Sequence, residues 1–204
     1  MSTNENLLMS LVEQKARLAG SNRMELLLFS LGGRETFGIN VFKVREVCEL
    51  KPITPTPNMP HGVEGIISLR GAIIPVINLA HCLGMELQSE HRKLIITEFS
   101  SSTQAFLVGE VDRIVRVDWE QVKTPQSTVT GGSGLVTAIT ELPGGRLVSI
   151  LDVEQILADV MGEEEVPPLE TAVHDTSRMV FFADDSAIAR KKVTQVLDRM
   201  GLPH

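Results

Sequence analysis

A chain of 204 residues has room for one or two domains, and its 43 % hydrophobic content suffices for a real core. A formal net charge of −7 argues against general nucleic-acid binding, which needs clustered Lys and Arg, and it weakens attraction to anionic membranes. Two distant cysteines, Cys48 and Cys82, make no disulfide framework and read as reduced, buried thiols. The polar, mixed-charge N-terminus has no signal-peptide pattern. The apolar run at 65–69 is broken by Arg70 and Pro75, far short of the roughly 20 residues of a membrane span. The expected location is the cytoplasm, without direct membrane insertion.

Residues 4–18 have helical spacing, with Leu8, Leu11, Val12 and Leu18 on one side and Glu13, Lys15 and Arg17 on another, before Gly20, Ser21 and Asn22 break the pattern. From Glu25 the period becomes β-like. Runs at 25–31 and 35–41 flank Gly32-Gly33 and read as a hairpin. Residues 41–47 place Val41, Val44 and Val47 at a spacing that fits either a helical turn or a twisted strand. Pro52, Pro55, Pro57 and Pro60 make the next stretch a loop. Further β runs follow at 65–70 and 72–79, at 93–99 and 104–108 around a turn at 100–103, and at 111–117. The glycine-rich tip 131–134 precedes a pairing of 135–142 with 146–150 across Pro143-Gly144-Gly145. Asp152 then caps a helix carrying Val153, Ile156, Leu157 and Val160, with Gln155 placed for a capping box.

Many short, evenly spaced strands with few helices predict a mainly β fold of small barrels. Residues 163–177, with Glu163-Glu164-Glu165 and Pro167-Pro168, have linker composition. Beyond them the apolar run 179–183 reads as a buried parallel strand, and 186–200 has helical spacing, the opening of an α/β architecture. The expected organisation is an N-terminal helix (1–21), a β domain (22–162), a linker (163–177) and a strand-helix fragment (178–204).

No catalytic constellation emerges. The five histidines lack ligand spacing, and His81 beside Cys82, the nearest approach to a ligand pair, reads as an ordinary core or surface pair. The glycine-rich tip lacks the Lys-Ser/Thr of a phosphate-binding loop, and Ser149 lacks a nucleophile-elbow context. A nucleic-acid-binding barrel would need aromatic and basic stripes, yet aromatics are 4 % and Tyr is absent.

The segment from Gly65 through Ser68-Leu69-Arg70-Gly71, Pro75 and Asn78-Leu79 resembles the G-x-x-N-L-R-G-x-x-x-P-x-x-D-L signature of CheW-like chemotaxis coupling proteins, with Ser68 for the usual Asn and Asn78 for the usual Asp. Phe37-Gly38-Ile39, Val44-Arg45-Glu46-Val47, Leu107-Val108-Gly109 and Ile150-Leu151-Asp152 extend the resemblance over roughly 25–161. It implies a pair of small SH3-like β-barrel subdomains with flanking helices. It also implies an adaptor, not an enzyme, that couples the cytoplasmic tip of a chemoreceptor to a chemotaxis histidine kinase. The expected receptor- and kinase-binding residues are Val41, Val44, Glu46, Val47, Arg70 and Gly71: the valines lining a groove for a helix's apolar stripe, Arg70 pairing with Glu46 at its edge.

Phe181-Phe182-Ala183-Asp184-Asp185-Ser186 resembles the first strand and acidic pair of a response-regulator receiver domain, and a CheW-like domain followed by a receiver is the arrangement of CheV-type proteins. In an intact receiver Asp184 and Asp185 would hold Mg²⁺, a hard cation that prefers carboxylate oxygens, beside a phosphoacceptor aspartate on a later strand. This chain contains no such acceptor, so no cofactor is expected in it, and the acidic pair reads here as a solvated turn and helix cap. The resemblance implies phosphorylation-dependent regulation in a complete protein; the alternative is a phosphoryl sink of a two-component pathway.

Overall fold

The computed structural model describes residues 23–99, 102–125, 134–161, 179–183, 193, 194, 196–198, 200 and 202. The predicted helix at 4–18, the tip at 131–133, the linker at 163–177 and the pair Asp184 and Asp185 lie outside the described residues. The chain divides into two compact units, Met1–Val153 and Glu154–His204.

The first unit is built from two five-stranded sheets. One contains, in spatial order, β8 (Val111–Asp118), β1 (Arg23–Phe29), β2 (Thr36–Asn40), β10 (Arg146–Leu151) and β9 (Val136–Leu142). The other contains β3 (Val44–Glu49), β6 (Lys93–Phe99), β7 (Ser102–Val108), β5 (Ala72–Asn78) and β4 (Val63–Leu69). All neighbours are antiparallel except the central pairs β2–β10 and β5–β7. Each sheet closes in the same way. The chain leaving one edge strand bridges to the other edge strand, Thr54 to Ile66 after β3 and Lys123 to Ile139 after β8, each with two backbone hydrogen bonds of 2.8–2.9 Å. A five-stranded sheet bridged edge to edge is a small barrel.

Alternation assigns one face of every strand to a barrel interior. Leu26, Leu28, Val117, Ala138, Leu142, Val148 and Ile150 fill one barrel, and Ile67, Leu69, Ile74, Val76, Leu94, Ile96, Ala105 and Leu107 the other. The opposite face is also buried at Leu27, Phe29, Phe37 and Ile39 in the first sheet and at Ile95 and Phe106 in the second. The phenyl rings of Phe29 and Phe37 stack there at 5.9 Å.

The strand order shows a duplication. The chain runs twice through the same series of a hairpin, a crossing strand, a closing bridge and a second hairpin: β1–β2, β3, Thr54, β4–β5, then β6–β7, β8, Lys123, β9–β10. In both passes the first hairpin stays in one barrel and the remainder enters the other, so each barrel combines strands from both passes. The β7–β8 crossing is held to the β1–β2 connection, where Ser30 N–H donates to Glu110 O and Gly109 N–H donates to Ser30 O, both at 2.9 Å.

The stretch left open between turn and strand is both: a 3₁₀ turn, Val41–Lys43, capped by the Asn40 side chain, followed by β3. Helix α1 (Leu79–Cys82) follows β5, and α2 (Val153–Met161) follows β10. The Asp152 N–H, which a capping box would engage, donates to Leu135 O at 2.9 Å, while the Gln155 amide donates forward to Asp159 at 2.6 Å.

In the second unit the expected strand at 179–183 does not form. Those residues have no strand geometry, and Met179 and Phe181 are exposed. A strand requires a ladder partner, and none pairs with this segment among the described residues. The described positions from Val193 to Met200 are helical, as the spacing predicted. No helix among the described residues is long and apolar enough to cross a membrane.

Candidate functional site

Strands β4 and β5 are joined by a two-residue turn, Arg70-Gly71, because Leu69 pairs directly with Ala72. Both residues are left-handed, with φ +49° at Arg70 and +85° at Gly71, the geometry of a type I′ hairpin turn. Asn or Gly ordinarily fills the first position, and a residue with a Cβ is strained there by about 1–2 kcal/mol. The strained backbone directs Arg70 across the barrel seam to β3, the opposite edge of the same sheet. There its Nη2 donates to Glu46 Oε2 at 2.7 Å. The Arg70 side chain remains 66 % exposed, whereas Glu46 is 7 % exposed.

Glu46 owes its burial to a bulge. The register of β3 against β6 slips between Val44, opposite Thr97, and Glu46, opposite Ile96. The extra residue, Arg45, faces outward and pairs with Glu98 at 2.9 Å. Past the bulge Glu46 and Val47 are both buried. The Cys48 thiol lies beside this pair; burial and then the Glu46 carboxylate push its pKa up, while Lys51 and Arg70 act in the opposite direction.

The structure therefore brings Glu46, Arg70 and Gly71 together as predicted but corrects the role of the valines. Val41, Val44 and Val47 are 1 %, 0 % and 8 % exposed and belong to the packed interior, so they do not line an open groove. The 3₁₀ turn carries Val41 inward, and the bulge keeps Val44 and Val47 against β6. The same segment presents Phe42, 49 % exposed, and Arg45 to solvent instead. Their signal in the sequence was their place between the valines, in a spacing that fits either a helical turn or a twisted strand. Gly71 has open space around the position of a Cβ, so its part is conformational.

The two departures from the signature have different consequences. Ser68 is exposed. Asn78 is buried, accepts the His81 N–H at 3.2 Å to cap α1, and donates its amide to Glu64 Oε1 at 2.6 Å. An aspartate could cap the helix but could not make the second bond. Glu64 also lies 3.5 Å from His81 Nδ1, yet among the described residues no three His, Cys, Asp or Glu side chains are grouped to hold a metal ion.

Residues 25–161 match the CheW-like domain family. The chain belongs to the CheW-like family. Its likeness to CheV proteins continues past that domain: it is 31 % identical to chemotaxis protein CheV1 of Helicobacter pylori over 95 % of this chain, and 29 % identical to CheV3 of the same organism over 94 %. It is thus a CheV-type coupling protein, spanning about two thirds of the length of those relatives (67 % and 66 %). Chemotaxis protein CheW of Thermotoga maritima is 33 % identical over 70 % of this chain and 93 % of its own length. The scaffolding protein TtCheW of Thermoanaerobacter tengcongensis superposes with a TM-score of 0.61 at 27 % identity, covering 67 % of this chain and 89 % of that one. As a member of this family the chain is a chemotaxis scaffold, an adaptor and not an enzyme.

Proposed function

We propose that this adaptor works in the cytoplasm by joining the helical tip of a chemoreceptor to a chemotaxis histidine kinase, with the receptor contact centred on the Glu46–Arg70 seam. The observation that carries this reading is the strained, exposed Arg70 held over a buried carboxylate. Strained backbone on an exposed side chain is retained where surrounding structure fixes it for use. Arg70 keeps further N–H donors beyond the one Glu46 accepts, and a guanidinium orients planar acceptors well. Phe42 supplies apolar surface on the same segment of chain as Glu46.

The test is receptor pull-down and kinase activation with Arg70→Ala and Arg70→Lys, beside thermal melting. Both variants bind receptor more weakly while remaining folded, and Lys rescues poorly because it loses the fork. Unchanged receptor binding by folded Arg70→Ala protein removes Arg70 from the site. Because Glu46 is buried, truncating Arg70 costs the fold about 1–3 kcal/mol, more than an exposed pair would. Receptor binding must therefore fall by more than the unfolded fraction explains.

Regulation through a receiver domain is the second part of the reading. Its support is the acidic pair after the linker and the CheV relatives, of which this chain spans about two thirds. Asp184 and Asp185 would hold Mg²⁺ in an intact receiver, the ion neutralising charge on a transferred phosphoryl group. Acetyl phosphate with Mg²⁺ leaves the mass of this 204-residue chain unchanged, because it contains no acceptor aspartate on a third strand. A gain of one phosphate on Asp184 or Asp185 overturns that assignment.

A further inference from the structure

His61 and His81 are far apart in the sequence, yet the fold brings their rings together with centroids 6.5 Å apart and planes tilted by 31°. Both residues are exposed. They stand at the open end of the β4–β5 hairpin, opposite the Arg70-Gly71 turn, where Val63 pairs with Ile77. His61 lies on the turn entering β4, which closes as Val63 N–H donates to Pro60 O at 3.1 Å. That turn is fastened to the end of β5, because Asn78 N–H donates to Gly62 O at 2.8 Å. His81 lies on α1, which the Asn78 side chain caps by accepting the His81 N–H. Asn78 therefore fixes the backbone beneath both imidazoles.

Asn78 also sets what lies behind the His81 ring. Its amide donates to Glu64 Oε1 at 2.6 Å, and the same oxygen lies 3.5 Å from His81 Nδ1. A carboxylate facing Nδ1 favours the tautomer protonated there, which leaves Nε2 with its lone pair. An imidazole backed by a carboxylate in this way is how proteins commonly hold a metal-binding histidine. We propose that His61 and His81 together bind one divalent transition cation of the Zn²⁺ or Cu²⁺ type through their imidazole nitrogens, with Glu64 orienting His81. Metal–nitrogen bonds of about 2.0–2.1 Å place two imidazole centroids on a tetrahedral ion roughly 5 Å apart, so the rings close by about 1 Å when the ion binds. Rotation of the exposed His61 side chain supplies that movement. Two protein nitrogens are fewer than a structural zinc site uses, so water completes the shell and the ion is exchangeable. Once bound, it ties the turn before β4 to α1.

The probe is Zn²⁺ alone, titrated by calorimetry into the full chain after chelator treatment. The unaltered chain takes up an ion that His61→Ala and His81→Ala each lose or bind far more weakly. Glu64→Gln, which removes the carboxylate behind His81, weakens binding about 10-fold. Zn²⁺ also raises the melting temperature of the unaltered chain and not that of His61→Ala, since an ion held only by the folded state stabilises it. His61 is exposed on a turn, and circular dichroism verifies that its variant is folded. Cys82→Ser leaves the affinity unchanged. No Zn²⁺ uptake by the unaltered chain overturns the proposal, as does undiminished uptake by His61→Ala. Loss of binding in Cys82→Ser also overturns it, by assigning the ion to the adjacent His81 and Cys82.

Discussion

At the scale of single residues, the seam between β3 and the β4–β5 turn concentrates features that propensity alone disfavours. Arg70 occupies a left-handed position, and Glu46 is a nearly buried carboxylate. Cys48 beside them reports on both. Its neutral form is favoured in the fold, so iodoacetamide should modify native Cys48 more slowly than an exposed thiol. Glu46→Gln should accelerate the reaction, by removing a charge that raises the thiol pKa, and Arg70→Ala should slow it. Opposite shifts in the pH–rate profiles are the expected result; equal shifts remove the electrostatic account. The stability linked to this thiol is intact below its ordinary value of 9.0 and declines as the pH rises from there toward the raised folded value. Asn78 gives a second residue-scale prediction. Asn78→Asp places a carboxylate against Glu64 and should cost about 1–3 kcal/mol in denaturant melts, whereas adding Glu64→Gln should recover part of it. Full additivity would show that the two side chains act separately.

At the scale of elements, the closing bridges decide whether a curled sheet becomes a barrel. Gly65 in β4 has φ +146°, and a Cβ there would lie 2.4 Å from the Thr54 carbonyl oxygen. Gly65→Ala should therefore push Thr54 off Ile66 and cost more than about 2 kcal/mol, since strain and lost hydrogen bonds combine. Gly71→Ala meets no neighbour and should cost only the backbone strain, about 1–2 kcal/mol. Equal losses in urea titration would refute the steric argument. The hairpins were legible in the sequence because Arg70-Gly71, Pro143-Gly144-Gly145 and the alternating runs beside them are local signals. The β3 bulge was not legible: nothing in V-F-K-V-R-E-V marks which residue is unpaired, and the family resemblance, not the valine spacing, pointed to a groove where the fold has interior. The apolar run at 179–183 misled for a related reason, since composition reports a strand's appetite for a partner and not whether one is supplied.

At the scale of the molecule, partition of the strands into sheets is set by long-range pairing, which periodicity does not encode. The motif match anticipated two barrels; the exchange of hairpins between them appears only in the strand order. That exchange makes the barrels interdependent. Divided in the connection between α1 and β6, the chain should give two pieces that are each largely unfolded alone, because neither contains all five strands of either barrel. Mixed, they should regain the β-sheet circular dichroism of the intact protein. A piece that folds by itself, with slow hydrogen exchange, would show that exchange is not what holds the barrels together.

The tie between the β7–β8 crossing at Gly109 and Glu110 and the β1–β2 connection at Ser30 also bears on how load passes through the protein. Two lobes strung on one tether can pivot, and a push on one is lost as rotation. Here the covalent chain passes between lobes twice, after β2 and after β7, and backbone hydrogen bonds tie the second crossing to the first hairpin of the lobe it enters. Two covalent passages between the lobes therefore leave less freedom for a pivot than one would, which suits a scaffold that must hold its parts in register.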